Sequence, residues 1–550
     1  MMNNMSRKFL FIFLLVFLFS ACITSNHENE VFVPVDYTEE DAVNDEIESV
    51  RALISDYPVK ALWRSLLVRN NVPLNEKAVS LFNEAQAAVI EKFDAAVKDS
   101  DYMTALRLYK SLSAAECREK IVSNHTEASL ETLAYKNVPG LSSSWKKQSV
   151  QNLINGTVTV FVDKGLKIER GMGYADGVLG SGFFISEDGY IITNHHVIND
   201  LVDKKYEGFS RLYIKLAEDP DTKIPAKVVG YDSALDLALL KCEIKAPSVF
   251  TLGSSADLNA GDRVYAIGSP LGLEKTLTSG IISSTDRQLF MAGPVFQIDA
   301  AVNSGNSGGP LIDENGKVQA VVFAGVQNYQ GLNFAIPVEY LRYELPFLYA
   351  GGEREHPWIG AYGKTKRLAG SGKTNEGLEV FYVLPGGSAS RSGIEAGDLI
   401  TGFDGKTVSS VYDFHRYLMM CQSGTVVSCN VKKADGTEKN VAVYLERRPD
   451  SPGYEFYIHD RIADSMLPLA GMKLTQVSAA KKEYIIESVV KGSAADDAGF
   501  SENDTLKLID VQIAEDKSAA GIAVYAKLRK KGYLDVSIGF TTSLDSTYYF

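Results

Sequence analysis

Cysteine is scarce in this chain, which has five cysteines among 550 residues. One of them, Cys22, follows the apolar N-terminus, and the other four (Cys117, Cys242, Cys421 and Cys429) lack the spacing of a disulfide framework. Cys421 and Cys429 are close enough in sequence for a bridge to be conceivable, although strand geometry could equally direct them apart. No Cys/His spacing is typical of zinc, so we expect neither a metal site nor a cofactor.

Basic charge is also in deficit, because the formal net charge is −13. This balance argues against a nucleic-acid binder that works by neutralising phosphates. The chain carries no nucleotide-binding motif either. It is too long for one hydrophobic core, so about three or four domains are expected.

Long apolar runs are confined to the N-terminus. Arg7 and Lys8 precede the apolar run at 9–19, and two small residues then lead to Cys22. The layout is typical of a signal peptide, and the run is too short to span a bilayer comfortably. Small residues before a cysteine resemble a bacterial lipobox, which predicts cleavage and lipid anchoring at Cys22, although Phe19 replaces the usual leucine. An ordinary secretory signal and an uncleaved anchor are the alternatives, and all three place the protein outside the cytoplasm.

A glycine-rich segment is the most informative part of the sequence. Residues 303–311 read NSGNSGGPL and place Ser307 between glycines, next to short apolar runs. A nucleophilic serine needs an exposed, sharp turn and backbone N–H groups that face the developing oxyanion. Glycines allow such a turn. The alternative is a glycine-rich hairpin, but the full run favours a nucleophile.

Such a serine needs a base and an acid that orients the base. Among only seven histidines, His195 and His196 are adjacent, and only one of them can meet Ser307 if they lie on a strand or its end. The acid predicted from the pattern is Asp236, which begins an apolar strand. Asp232 is the alternative, but its neighbours indicate a turn or cap residue.

The chain resembles the HtrA/Deg serine proteases, which join a chymotrypsin-like protease domain to PDZ domains. The order His, Asp, Ser is that of chymotrypsin-like enzymes. The resemblance covers roughly residues 146–450, with a weaker continuation to the end. The matching segments are residues 180–186, 193–197, 236–241, 266–272, 278–283, 299–311 and 333–337. Because the family places its base directly before a valine, the resemblance implies His196 as base, Asp236 as orienting acid and Ser307 as nucleophile.

The expected architecture is multidomain. The resemblance implies an all-β double-barrel protease domain and two α+β PDZ domains, of which the second is divergent. The N-terminal part is read from pattern, because apolar residues recur at helical spacing between Ala78 and Leu112. The predicted ranges are signal peptide 1–22, acidic tether 23–45, helical module 46–138, protease domain 146–350, first PDZ domain 355–448 and second PDZ-like domain 455–550.

The role of the helical module is left open by the sequence. One helix pair faintly resembles a tetratricopeptide unit, but a repeat array needs several copies. The alternative is a small helical bundle that packs on the protease or on another subunit. Members of the family are usually trimers, which implies a homotrimer here.

The oxyanion hole is expected from the N–H groups of Gly305 and Ser307, with help from Asn306. Asn306 cannot make the ion pair that activates many secreted chymotrypsin-like enzymes, so loop ordering is the predicted form of activation. The predicted specificity pocket is neutral and modest in size, and this favours cleavage after small or medium apolar residues of unfolded proteins. Its residues are Ala301, Asn333, Phe334 and Ala335, with Asn333 at a position where the family has glycine.

PDZ domains bind an extended C-terminus as an added strand. In the first domain the predicted cradle for the peptide's carboxylate is the turn formed by Trp358, Ile359, Gly360 and Ala361. The second domain is either a peptide binder or a structural spacer.

Together these features predict an ATP-independent endopeptidase of the cell envelope that degrades misfolded proteins and binds their C-termini. A chaperone or scaffold with little proteolysis is the main alternative. A protease dedicated to one envelope substrate is a further one.

Overall fold

The computed structural model describes most of the chain beyond the N-terminus. The predicted signal peptide, the lipidation site Cys22, the first part of the tether (residues 23–31) and part of the 266–272 segment lie outside the described residues. Those residues are 32–121, 123–141, 147–169, 171–203, 205–268, 276–290, 293–302, 305–325, 332–368, 375–478, 482–529, 532 and 534–550.

Five α-helices form the described part of the N-terminal module. Their bounds are α1 Glu40–Arg51, α2 Pro58–Asn71, α3 Glu76–Lys98, α4 Tyr102–Ala114 and α5 Glu127–Tyr135. Asn75 and Asp101 cap α3 and α4, because each side chain accepts a hydrogen bond from a backbone N–H in the first turn. The predicted tether is wrong at its end, since α1 already begins at Glu40. Acidic residues in this first turn interact favourably with the positive end of the helix dipole. No helix in the described part of the chain is both long and apolar enough to cross a bilayer.

Residues 150–242 form a first β-barrel. Its elements are α6 Val150–Asn155, β1 Thr157–Glu169, β2 Met172–Phe184, β3 Tyr190–Thr193, α7 His195–Val202, β4 Arg211–Lys215, β5 Ile224–Asp232 and β6 Leu237–Cys242. The sheet order is β5-β4-β1-β2-β3-β6, and pairing of β5 with β6 closes it. Val158, Val160 and Val162 alternate into the core, which is the period of a strand with one buried face.

A second barrel follows directly. Its elements are β7 Arg263–Gly268, β8 Thr276–Phe290, β9 Gly293–Ile298, β10 Pro310–Ile312, β11 Val318–Gly325 and β12 Asn333–Pro337. These strands close in the order β10-β11-β12-β9-β8-β7. Helix α8, Val338–Ala350, packs against the interface of the two barrels through Leu341 and Leu345, and β13, Gly352–Glu353, pairs with β5. The predicted double-barrel fold is therefore confirmed.

The first PDZ domain is a five-stranded sheet with one long helix. Its elements are β14 Pro357–Trp358, β15 Ala361–Arg367, β16 Asn375–Val383, α9 Ser388–Arg391, β17 Leu399–Phe403, β18 Lys406–Thr407, α10 Val411–Met419, β19 Val426–Lys432, β20 Glu438–Tyr444 and β21 Glu446–Arg447. The main sheet has the order β15-β16-β17-β19-β20. Cys421 and Cys429 are both buried free thiols in this domain, so they do not form the bridge considered above.

The second PDZ domain has a simpler plan. Its elements are α11 Pro452–His459, α12 Ile462–Ala470, β22 Met472–Ser478, β23 Glu483–Val489, α13 Ala494–Asp497, β24 Thr505–Ile513, β25 Ala519–Leu528 and β26 Leu534–Ser543. The five strands are ordered in sequence. A tight turn at 514–518 joins β24 to β25, at the place where the first domain carries α10.

The helical module packs on the first PDZ domain, and its C-terminal end at Tyr135 and Val138 also packs on the protease core, as one of the alternatives expected. The indole N–H of Trp63 donates to the Ala442 carbonyl at 3.0 Å, and the ring stacks on Tyr444 with centroids 5.6 Å apart. The Ser111 hydroxyl accepts the N–H of Val426 at 3.0 Å. These contacts lie on β19 and β20, whose apolar face requires a partner.

Candidate active site

Ser307 lies in the loop between β9 and β10 of the second barrel. Gly305 and Gly308 on either side have φ values of +104° and +84°, in the region that favours glycine. A Cβ atom at Gly308 would lie 2.2 Å from the Ser181 carbonyl oxygen and 2.4 Å from Thr193 Oγ1. The glycines recognised in the sequence are therefore required both for the turn and for close packing against the first barrel.

The carbonyl groups of this loop are held by Ser181 of β2. Its N–H donates to the Ser307 carbonyl at 2.7 Å, and its hydroxyl donates to the Gly305 carbonyl at 2.6 Å. Thr193 Oγ1 in turn donates to the Ser181 carbonyl at 2.8 Å. Within the described part of the chain, the backbone N–H groups of Gly305 and Ser307 have no hydrogen-bond acceptor. These are the two N–H groups that the sequence predicts for an oxyanion hole, and Asn306 between them is buried.

His196 lies in the first turn of α7, directly after β3 ends, which agrees with the expected position on a strand or its end. Its Nδ1 is 2.8 Å from Asp236 Oδ2, and its backbone N–H donates to Asp236 Oδ1 at 2.8 Å. Its side chain is 48% exposed. His195 instead stacks on Tyr231, with ring centroids 5.2 Å apart. Burial lowers the pKa of His195. The structure thus brings His196, and not His195, to the carboxylate.

Asp236 has a left-handed backbone, with φ +56°, in the turn between β5 and β6. Aspartate tolerates this conformation better than most residues. Asn194 Nδ2 donates to the Asp236 carbonyl at 2.7 Å and fixes the turn. Since a carboxylate only accepts, Nδ1 of His196 carries the proton and Nε2 is left able to take one. The positions of Asn194, Ser181 and Thr193 escaped the sequence reasoning because their partners come from distant segments.

The histidine and serine segments are in direct contact across the two barrels. A Cβ atom at Gly180 would lie 2.6 Å from Val197 Cγ2 and 3.2 Å from the Ser307 carbonyl oxygen. Ser307 Oγ donates to the Phe323 carbonyl at 3.3 Å and makes no hydrogen bond to His196 in the described structure. Proton transfer to His196 therefore requires the hydroxyl to exchange its acceptor, as is common before substrate binds.

Asp232 has the turn role expected for it and a second role that the sequence did not reveal. Its Oδ1 accepts the N–H groups of Ala234 and Leu235 at 3.0 Å each. His356, in the connection to the first PDZ domain, places Nε2 2.9 Å from both carboxylate oxygens. Burial acts to raise the pKa of Asp232, but the opposite charge and hydrogen bond of His356, together with the Leu235 N–H and the charge of Arg354, hold that pKa below its usual value.

A buried ion pair lies beside this contact. Arg354 Nε donates to Glu344 at 2.6 Å, and the same guanidinium donates to the carbonyls of Met419 and Cys421 at the end of α10. Asp232, Glu344 and His356 have atoms close enough together to surround an ion. Arg354 already supplies positive charge to this group, so its chemistry fits a structural junction between protease and PDZ domain.

The predicted specificity pocket is only partly assembled as expected. Asn333 is buried on β12, and its Nδ2 donates to the Ala300 carbonyl at 2.8 Å. Ala301 is exposed next to it. The Asn333 amide therefore holds the segment that leads to the serine loop. A glycine at this position, as in the family, could not make this hydrogen bond.

The two remaining pocket residues point to different surroundings. The Phe334 ring is half-buried and lies 6.3 Å from the ring of Phe323, whose carbonyl accepts the Ser307 hydroxyl. Ala335 is fully buried inside the second barrel. The prediction that Ala335 lines a pocket is therefore wrong, because alternate residues of β12 face the barrel core.

The predicted peptide cradle lies at the start of β15. The Trp358 ring packs 5.8 Å from Phe456 of the second PDZ domain, and Ile359 is in the core of the first. Gly360 has φ +80° and accepts the N–H of Leu384 at 2.7 Å. The Ala361 N–H donates to the carbonyl of Phe550, so this edge already holds a segment of the same chain.

Three parts of this architecture match described domain families, and a fourth matches a family without a known role. The trypsin-like peptidase domain matches residues 180–321 and the PDZ domain matches residues 364–445. A PDZ domain of the TP0546 family matches residues 453–544, and a domain of unknown function matches residues 41–134. Fold and matches together define a trypsin-like serine peptidase with two PDZ domains.

Relatives narrow the class further. A probable periplasmic serine endoprotease DegP-like of Marinomonas sp. is 31% identical over 369 residues, which are 64% of this chain and 74% of the relative. One of Halomonas elongata is 37% identical over 282 residues, which are 50% of this chain and 57% of the relative. The solved HtrA-type protease AlgW with a decapeptide has 27% identity and a TM-score of 0.45, and the match covers 55% of this chain and 99% of that one. The chain belongs to the HtrA/DegP-type serine proteases.

Proposed function

We propose that this chain is an ATP-independent serine endopeptidase that degrades unfolded proteins of the cell envelope. The observation that carries the proposal is the pairing of His196 with Asp236 at 2.8 Å on a segment that packs against the Ser307 loop. Family membership supports the same chemistry.

In this proposal each residue has one task. The Ser307 hydroxyl leaves the Phe323 carbonyl, gives its proton to His196 Nε2 and attacks the scissile carbonyl. Asp236 holds the His196 tautomer and stabilises the imidazolium. The N–H groups of Gly305 and Ser307 receive the oxyanion, and such a donor typically contributes about 3–4 kcal/mol to transition-state stabilisation.

The surroundings of Ser307 support cleavage after small or medium apolar residues. The Asn333 amide donates its hydrogen bond to a backbone carbonyl, and the half-buried Phe334 ring provides an apolar surface. A charged P1 residue would find no counter-charge among these side chains. Apolar residues are buried in folded proteins, so such an enzyme selects unfolded substrates. Profiling cleavage sites in a denatured protein by mass spectrometry tests this, and predominant cleavage after Lys or Arg would contradict it.

The remaining parts of the proposal concern location and recruitment. Lipid anchoring at Cys22 would hold the enzyme on an envelope membrane, and Cys22→Ala should release it into the soluble fraction. The first PDZ domain would bind substrate C-termini at its β15 edge. A homotrimer is the assembly implied by the family, and sedimentation of the protein lacking residues 1–28 tests it.

The decisive experiment is digestion of a permanently unfolded protein by the chain from residue 29 onward. Ser307→Ala and His196→Ala should reduce the rate to background, while His195→Ala serves as the matched control and should retain most activity. Loss with His195→Ala but not with His196→Ala would move the base to His195. No digestion by the unaltered protein would favour the chaperone or scaffold alternative.

A further inference from the structure

The last residues of the sequence form an added strand on the first PDZ domain. The N–H of Ala361 donates to the Phe550 carbonyl at 2.9 Å, and the N–H of Phe550 donates to the Ala361 carbonyl at 3.0 Å. The N–H of Gly363 donates to the Tyr548 carbonyl at 3.1 Å. Tyr362 and Tyr549 are antiparallel partners. This is the hydrogen-bond pattern by which PDZ domains add a peptide to a sheet edge.

The side chain of Phe550 fills the groove between β15 and α10. It is 1% exposed and belongs to the domain's core cluster. Its ring lies 5.3 Å from that of Phe414 on α10, tilted by 68° in an edge-to-face arrangement. A groove that takes an aromatic ring at this depth selects an aromatic side chain at the innermost position of its ligand.

The helix wall of the groove also contacts the segment. His415 Nε2 lies 3.0 Å from the Thr547 carbonyl oxygen, which can only accept, so the imidazole donates this hydrogen bond. His415 is itself buried. The segment therefore has polar contacts with both walls of the groove, as a bound peptide does.

Tyr549 faces the opposite side, as alternation along a strand requires. Its ring lies 5.2 Å from Phe456 and its hydroxyl donates to the Pro468 carbonyl at 2.9 Å. Both partners belong to helices of the second PDZ domain, α11 and α12. The same short segment thus fills the groove of one domain and joins it to the next.

We propose that residues 547–550 are a built-in ligand of the first PDZ groove, held in cis, and that competing ligands are extended peptides with an aromatic residue at the Phe550 position. This inference rests on the proposed peptide binding by the first PDZ domain. A competing peptide binds only when the segment leaves. Its apparent dissociation constant is therefore the intrinsic one divided by the fraction of molecules in which the groove is open.

The test uses the chain from residue 29 with Ser307→Ala, so that no probe is cleaved. The probe is a fluorescently labelled synthetic peptide with the sequence of residues 541–550, and binding is read by anisotropy. Phe550→Asp removes the aromatic anchor and should tighten probe binding at least tenfold. Deletion of residues 547–550 should do the same by a second route. Phe209→Asp, at an exposed phenylalanine of the protease domain, is the matched control and should leave binding as in the parent.

Two further arms sharpen the result. A probe with alanine in place of its final phenylalanine should bind the opened protein at least tenfold more weakly. Equal probe affinity for the parent and both opened variants would overturn the proposal, as would absence of binding in an opened variant that melts cooperatively. If diluting the parent protein restored probe binding, the segment that fills the groove would come from a second copy of the chain. That result would overturn the assignment in cis. The readout is independent of proteolysis, so failure here leaves the test of the peptidase unaffected.

Discussion

The two PDZ domains share a sheet plan and differ in one wall. In the first domain α10, Val411–Met419, faces β15 and leaves a groove that Phe550 fills. In the second, the turn at 514–518 connects β24 directly to β25, so no helix lies between these two strands in the described structure. A PDZ groove needs both a strand edge and a helix. The comparison therefore predicts peptide binding in the first domain and a supporting role for the second.

The largest effect is expected when one buried phenylalanine of each domain is replaced by alanine and the two variants are compared. Phe500→Ala removes a buried ring that lies 5.7 Å from Phe540 in the second domain, and should lower the free energy of unfolding by about 3–5 kcal/mol. In the full chain from residue 29 with Ser307→Ala, the Phe500→Ala change should leave probe affinity unchanged at a temperature where the variant is folded. Denaturant unfolding and anisotropy check both expectations.

The partner variant is Phe550→Ala. It removes a ring of the same size, and should expose the groove as well as destabilise the first domain. If Phe500→Ala altered probe affinity as much as Phe550→Ala alters it, the division of roles between the domains would be contradicted.

A smaller effect of acid is expected in the first domain. Burial lowers the pKa of His415 from 6.5 to about 4, with the charge of Arg448 acting in the same direction and that of Asp545 opposing it. The unfolded chain takes up a proton near pH 6.5 while the folded one does so near pH 4. Stability is therefore lost as pH falls through this window, by at most about 3 kcal/mol.

His415→Gln should remove this pH dependence from hydrogen exchange of the first domain. His459→Gln, at a more exposed histidine of α11, is the matched control and should preserve it. An unchanged pH profile in His415→Gln would show that another group carries the titration.

The smallest effect concerns the contact between the domains. Tyr382 donates its hydroxyl proton to Asp460 at 2.7 Å, and burial raises the pKa of both groups. Tyr382→Phe should cost about 1.5 kcal/mol of stability, since it removes one charge-assisted hydrogen bond. Tyr525→Phe, at an exposed tyrosine of β25, should cost nothing measurable in the same unfolding experiment.

Local patterns were sufficient to predict the parts of the molecule whose causes are local. The helical spacing between Ala78 and Leu112, the turn role of Asp232 and the glycine turn around Ser307 all depend on neighbouring residues. The double barrel was implied by resemblance and is confirmed. The catalytic roles of His196, Asp236 and Ser307 stay predictions until activity is measured.

The failures concern contacts between distant segments. His356 meets Asp232 across 124 positions, and Trp63 meets Ala442 across 379, so no local pattern contains them. Ala335 was misplaced because a neighbour in sequence faces the opposite side of its strand. Occupation of the Ala361 edge by Phe550 was missed because the two residues are far apart in the sequence. They meet only when both PDZ domains have folded.

The central claim, that the peptide edge of the first PDZ domain is occupied by the chain itself, is tested most directly by amide hydrogen exchange. In the intact protein the N–H groups of Ala361 and Gly363 should be strongly protected. Deletion of residues 547–550 should make both exchange rapidly, while the N–H of Leu384, bonded to Gly360 within the domain, should remain protected. Rapid exchange at Ala361 and Gly363 in the intact protein, or unchanged protection after the deletion, would contradict the account.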